Sequence, residues 1–158
     1  MKILILGSAS YTAKRLREAA KERGHTCHIK SYKNCYLSVE SGKTKIFYKG
    51  KELVGYDAVI PRIAQSYTKY GTAVLRQFEM QGTFVAASSL AINRSRNKLR
   101  SMQLLAKANI GIPKTIIANS DVDTDEILDA FGKGPYIVKT TRGTHGKGVI
   151  LAETKKAA

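Results

Sequence analysis

Apolar positions run almost unbroken over residues 2–6, which predicts a short buried strand. Residues 11–23 change period. Ala13, Leu16, Ala19 and Ala20 fall on one helical face, and Gly24 supplies a stop. Residues 26–31 alternate as a second strand, with Cys27 and Ile29 on one side and His28 and Lys30 on the other. Strand, helix and strand within about thirty residues make a βαβ start. Residues 36–39 and 45–48 read as a hairpin turning near Ser41-Gly42, and residues 57–61 as another buried strand. Residues 71–81 predict a helix with Val74, Leu75 and Phe78 inward and Gly82 at its end.

Near residue 93 the organisation changes. Residues 97–109 predict a helix with the stripe Leu99, Met102, Leu105 and Ala106, halted by Gly111-Ile112-Pro113. Residues 114–118 predict a strand. Residues 123–131 predict a helix with an acidic first turn, which suits the helix dipole. A turn at residues 132–135, a strand at 136–140, a loop at 141–148 and a strand at 149–152 follow. The pattern contains no internal repeat. It predicts a βαβ domain of about ninety residues and a smaller α+β unit.

Composition narrows the class. In 158 residues, 43% are hydrophobic, enough for a packed core. No apolar run approaches the roughly 18 residues of a membrane span. The apolar start is too short for a signal-peptide core and soon meets Lys14, Arg15 and Arg17. Cys27 and Cys35 form no C-x-x-C pair. A soluble, cytoplasmic protein with no membrane partner is expected. The net charge is +15, and it is uneven: residues 1–100 carry 19 Lys and Arg against 6 Asp and Glu. Such a face attracts phosphate-rich or acidic partners and also keeps a protein soluble.

Several motifs fail on their own chemistry. The turn Gly7-Ser8-Ala9-Ser10 holds only the first glycine of a dinucleotide fingerprint. Asp121 to Asp125 has the look of a calcium loop, but its sixth position is Glu126 and its twelfth Gly132. His25-Thr26-Cys27-His28 puts Cys27 and His28 on opposite faces of a strand, with no further ligand nearby. Three histidines and no G-x-S-x-G argue against a hydrolase triad.

The informative segment is residues 138–149. Gly143, Gly146 and Gly148 lie within six residues between two predicted strands. Glycines let backbone N–H groups converge and approach a phosphate closely. Thr141, Thr144, Arg142 and Lys147 add donors. Lys139 shares a strand face with Ile137 and reads as a lysine at a buried rim that reaches into the loop. This is no Walker A loop, because Lys147 is followed by Gly148 and a strand. Lys98 opens the helix after residue 97, where a cation opposes the dipole. Two lysines from separate elements and a glycine loop suit a nucleotide clamp; a charged glycine hairpin on the surface is the plainer alternative.

With these residues in place, the sequence resembles the ATP-grasp superfamily. The resemblance rests on Asn97-Lys98, the apolar helix, Gly111-Ile112-Pro113, Ile137-Val138-Lys139, the glycine loop and Val149. It is closer to the RimK-type ligases, which add glutamate to the C-terminus of a small-subunit ribosomal protein. Segments at residues 14–20, 23–25, 57–62, 70–73, 75–80 and 98–106 are similar to that family. The resemblance implies an α/β fold: a Rossmann-like preATP-grasp domain at 1–93, then the start of an α+β ATP-grasp lobe at 94–158.

It also implies chemistry. ATP phosphorylates a carboxylate, and an amine then displaces phosphate to form an amide, so the enzyme mainly neutralises and positions charge. Lys139 would contact the α/β-phosphates and the adenine side of the pocket, Lys98 would support the phosphates, Thr141 would add a donor, and residues 143–148, with Gly143, Thr144, Gly146, Lys147 and Gly148, would fold over them as a lid. Two departures stand out. Arg142, His145 and Lys147 make the loop unusually basic. The acidic set that holds Mg or Mn in such ligases would lie beyond Ala158, as would the adenine hinge and the substrate-binding arginines. The resemblance thus implies the N-terminal portion of a ligase, with no catalytic residue of its own, no tight cofactor binding and no activity alone. The parent would take ATP, glutamate and a ribosomal-protein C-terminus, act in the modification of that protein, contact ribosomal RNA through its basic face, and form a homo-oligomer. Two alternatives stay open: a basic non-catalytic RNA- or ribosome-binding module, and a sister ATP-grasp ligase for a small amino-acid substrate.

Overall fold

The computed structural model describes residues 1–140 and 148–158. They form two compact units, Met1–Asn93 and Arg94–Ala158.

The first unit opens with β1 (Lys2–Gly7), α1 (Tyr11–Glu22) and β2 (Thr26–Lys30). Ser10 caps α1 by accepting the Ala13 N–H at 3.3 Å, and Gly24, at φ 74°, ends the helix in the left-handed region. Next come β3 (Cys35–Glu40), β4 (Lys43–Tyr48) and β5 (Lys51–Glu52), an antiparallel sheet in that order. Lys49 and Gly50 both have positive φ, 49° and 79°, which is the turn that a tight hairpin between β4 and β5 needs. Then follow β6 (Ala58–Arg62), α2 (Thr68–Met80), β7 (Phe84–Val85) and α3 (Ser89–Ser95). The main sheet is parallel, ordered β2-β1-β6-β7.

Strand alternation splits the core over the two faces of this sheet. Ile5 and Cys27 pack with Ala13 and Ala20 of α1. Leu4, Leu6 and Val59 pack with Val74, Leu75 and Phe78 of α2 and Ile46 of β4. Gln77 of α2 is 4% exposed, and its amide donates to the Ser38 and Lys45 carbonyls at 3.0 and 2.7 Å.

The second unit holds α4 (Lys98–Lys107), α5 (Thr124–Phe131), β8 (Tyr136–Lys139) and β9 (Val149–Ala152). Asn97 caps α4 through the Arg100 N–H at 3.0 Å, and Asp123 caps α5 through the Asp125 N–H at 2.7 Å. Asp125 and Glu126 supply the acidic first turn. Leu128, Tyr136 and Ala152 make its small core.

The structure departs from the sequence reading in four places. Residues 114–118 carry no strand. Instead, the Lys114 ammonium donates to the Ala130 and Phe131 carbonyls, which α5 leaves open at its C-terminus. The stripe of α4 is half-buried at Leu99, Met102 and Leu105, and Ala106 is exposed. The second long helix begins at Thr68, ahead of its apolar stripe, where the Tyr70 hydroxyl donates to the Cys35 carbonyl at 2.6 Å. Helix α3 and the two-residue strands β5 and β7 were not expected. The Glu79 carboxylate fixes the start of α3 by accepting the Ser89 N–H and hydroxyl at 2.6 and 2.7 Å. Among the described residues no helix is long and apolar enough to cross a membrane.

Candidate functional site

Strands β8 and β9 flank the glycine-rich segment 141–148 in the sequence. Their ladder pairs Tyr136 with Ala152 and ends with Lys139 opposite Val149. One more bond, from the Thr140 N–H to the Gly148 carbonyl at 3.0 Å, closes the neck of the loop. Gly148 is required there. Its φ is 72°, and a Cβ would lie 2.7 Å from the Thr140 hydroxyl.

Lys98 comes to the same neck. It is the first residue of α4, and its ammonium donates to the Thr140 carbonyl at 2.9 Å. An ammonium has three donors. Among the described residues this carbonyl takes one, so Lys98 offers charge and further donors at the loop's edge. The carbonyl also offsets the unfavourable place of a cation in a first helical turn. Sequence reasoning singled out Lys98 and missed the Thr140 carbonyl, because a backbone acceptor has no sequence signature.

Lys139 lies one residue before that neck. It is exposed, not at a buried rim as expected. The ribbon face it occupies is open: Ile137 is 53% and Leu151 58% exposed. Thr141, Gly143, Thr144, Gly146 and Lys147 lie outside the described residues. The structure thus brings Lys98, Thr140 and Gly148 together, with Lys139 adjacent in the strand.

This arrangement fits the phosphates of a nucleotide in the chemistry of its donors: ammonium groups on two elements beside a glycine-flanked neck. It does not fit a metal. Among the described residues no group of three or more His, Cys, Asp or Glu could hold one. Nor do the cysteines offer a nucleophile. Burial pushes the Cys35 thiol up to about 11 and raises that of Cys27. Gly7 has a structural reason instead of a phosphate: a Cβ there would meet the Arg62 carbonyl of β6 at 2.6 Å.

Residues 1–92 match the family model of the RimK PreATP-grasp domain. The chain belongs to the RimK family. Residues 95–158 match the RimK-like ATP-grasp domain. A Vibrio cholerae serotype O1 protein named probable alpha-L-glutamate ligase is 52% identical over the whole of this chain, which covers 53% of that protein. The chain therefore spans about half the length of the curated relatives it matches. Among solved structures, a RimK domain ATP-grasp protein from Sphaerobacter thermophilus aligns at TM-score 0.71 and 18% identity, over 99% of this chain and 55% of that one. The ATP-grasp ligase PsnB, complexed with minimal precursor, Mg and ADP, aligns at TM-score 0.70 and 20% identity, over 99% of this chain and 59% of its own. At these identities the likeness is one of fold: a parallel-sheet preATP-grasp domain followed by the start of an ATP-grasp domain.

Proposed function

We propose that this RimK-family chain forms the preATP-grasp domain and the opening segment of the ATP-grasp domain of an ATP-dependent glutamate ligase. The observation that carries the reading is the bond from Lys98 to the Thr140 carbonyl, which sets a cation from α4 at the neck of a glycine loop led by Lys139. Lys98 and Lys139 would hold the phosphates with Thr141 as a further donor, and Gly143, Thr144, Gly146, Lys147 and Gly148 would close over them. ATP, when bound, supplies the phosphoryl group that activates a carboxylate. The chain's own share is to neutralise phosphate charge and fix its position, where much of the gain in phosphoryl transfer lies. The donor set here suits phosphate and not a cation, so an Mg site would draw its acids from outside these residues. On this reading the 158-residue chain alone turns over no ATP.

The proposed acceptor is the C-terminus of a small-subunit ribosomal protein; a small amino-acid carboxylate is the second substrate class. Full-length protein incubated with ATP, Mg, glutamate and either acceptor separates them by mass gain on the acceptor. Lys139→Ala in that protein is expected to lower turnover at least tenfold, about 1.4 kcal/mol in the barrier. Unchanged turnover in the variant would remove Lys139 from the site. Turnover by the 158-residue chain alone would overturn the division of labour proposed here.

A further inference from the structure

The ligase reading leaves the basic excess of the first unit unused, and part of it gathers in one cavity. This cavity of about 430 Å³ is lined by Lys2, Lys30, Lys49, Lys51 and Glu52, over a floor that includes Tyr48 and Tyr56. The lysines come from the start of β1, the end of β2 and the β4–β5 turn. Register explains part of the convergence. Lys2, Leu4 and Leu6 share a face of the parallel sheet with their partners Thr26, His28 and Lys30.

Three of the four ammonium groups rest on aromatic rings, not on acids. Lys2 lies 4.7 Å from the Tyr56 centroid, and Lys30 and Lys49 lie 4.4 and 5.9 Å from that of Tyr48. The Lys2 ammonium also donates to the Val54 carbonyl at 3.1 Å. Among the described residues none of the four lysines pairs with a carboxylate. Glu52 faces Lys45 at 3.9 Å, and Asp57 is taken by the Lys2 backbone N–H at 2.6 Å. Four cations against one acid in a concave wall focus a positive field that favours an anionic partner.

We propose that this cavity binds an extended acidic peptide, its carboxylates spaced among Lys2, Lys30, Lys49 and Lys51 over the two tyrosine rings. Three features favour a peptide over a nucleic acid. The lining holds no arginine fork and no helix N-terminus, two recurring cradles for phosphate. Each tyrosine ring already carries an ammonium, which competes with a base for stacking. The cations stand on three separate segments above Leu53, Val54 and tyrosine carbon, which suits charges spaced along a chain with methylenes between them.

The test uses the 158-residue chain and a fluorescent tetraglutamate peptide, with tetraglutamine and a single-stranded uridine oligonucleotide as comparisons, by anisotropy at physiological salt. Tetraglutamate is expected to bind and tetraglutamine is not. The combined variant Lys30→Gln, Lys49→Gln and Lys51→Gln should weaken the peptide at least tenfold. An equal loss of charge on α1, Lys14→Gln, Arg15→Gln and Lys21→Gln, should weaken it less than twofold. Bound carboxylates should also raise the titration midpoint of His28, whose ring nitrogen Nδ1 is hydrogen-bonded to the Tyr56 hydroxyl at 3.1 Å. No peptide binding, equal loss in both triple variants, or an unmoved His28 at saturation would overturn the proposal. So would tighter binding of the oligonucleotide that the cavity variant abolishes.

Discussion

His28 shows how the fold adjusts one residue's chemistry. Its ring meets Tyr56 edge-on, with centroids 5.8 Å apart at 88°. Burial lowers its pKa from 6.5, and the charges of Lys30 and Lys2 push it further the same way. The folded protein therefore binds fewer protons at this site than the unfolded chain. The sign follows: the contribution is complete above 6.5 and is lost as pH falls from there through the lower folded value. Between about pH 7.5 and 5.5, which lies above the ordinary carboxylate range, the urea midpoint should fall. In His28→Gln it should fall less. His28 is largely exposed, so the difference is small, and the paired comparison isolates it from His25 and His145. Equal slopes in the two proteins would show that the ring does not feel this field.

At the scale of elements, Gln77 ties α2 to the antiparallel sheet. Its amide bridges carbonyls of both β3 and β4, and Gln81 adds a donation to the Thr44 carbonyl at 2.7 Å. Gln77→Leu keeps the volume but removes both bonds from a buried place. A loss of about 1–3 kcal/mol is expected, read as a lower urea midpoint. A midpoint equal to that of the parent protein would mean that the two carbonyls find other partners. Such a contact marks the limit of sequence reading. The apolar stripes of α1 and α2 and the runs at β1 and β6 stand out because burial imposes a period on neighbours in sequence. Gln77 has no such period, and its partners lie more than thirty residues away. The same holds for Thr68 to Tyr70, drawn into α2 by a tyrosine that reaches Cys35. The opposite error occurs at residues 114–118: a β-branched run promises a strand, but a strand needs a ladder, and Lys114 is held by α5 instead. In the candidate site, Lys98, Lys139 and the glycines were legible as residue types. The bond that joins Lys98 to the neck of the loop was not.

The molecule as a whole carries 27 Lys and Arg against 12 Asp and Glu. Among the described residues, ion pairs offset only part of that charge. Ion pairs among the described residues join Arg15 to Glu18, Lys45 to Glu52, and Lys155 to Asp125 and Asp129. They are largely exposed, where a pair adds little. Most of the positive charge therefore repels itself, and a folded chain feels this more than an unfolded one because its charges are closer together. Sodium chloride screens that repulsion with a Debye length of about 10 Å at 0.1 M. Raising it from about 20 mM to about 300 mM shortens the length from about 20 Å to about 6 Å, below the spacing of most surface charges. The melting temperature should rise with salt, by about 2–4 °C for each kcal/mol of repulsion removed. The cavity triple variant, with three fewer cations, should start higher at low salt and gain less. A flat or falling salt dependence would mean that the cations are already neutralised within the fold, and the positive field proposed for the lysine cavity would lose its physical basis.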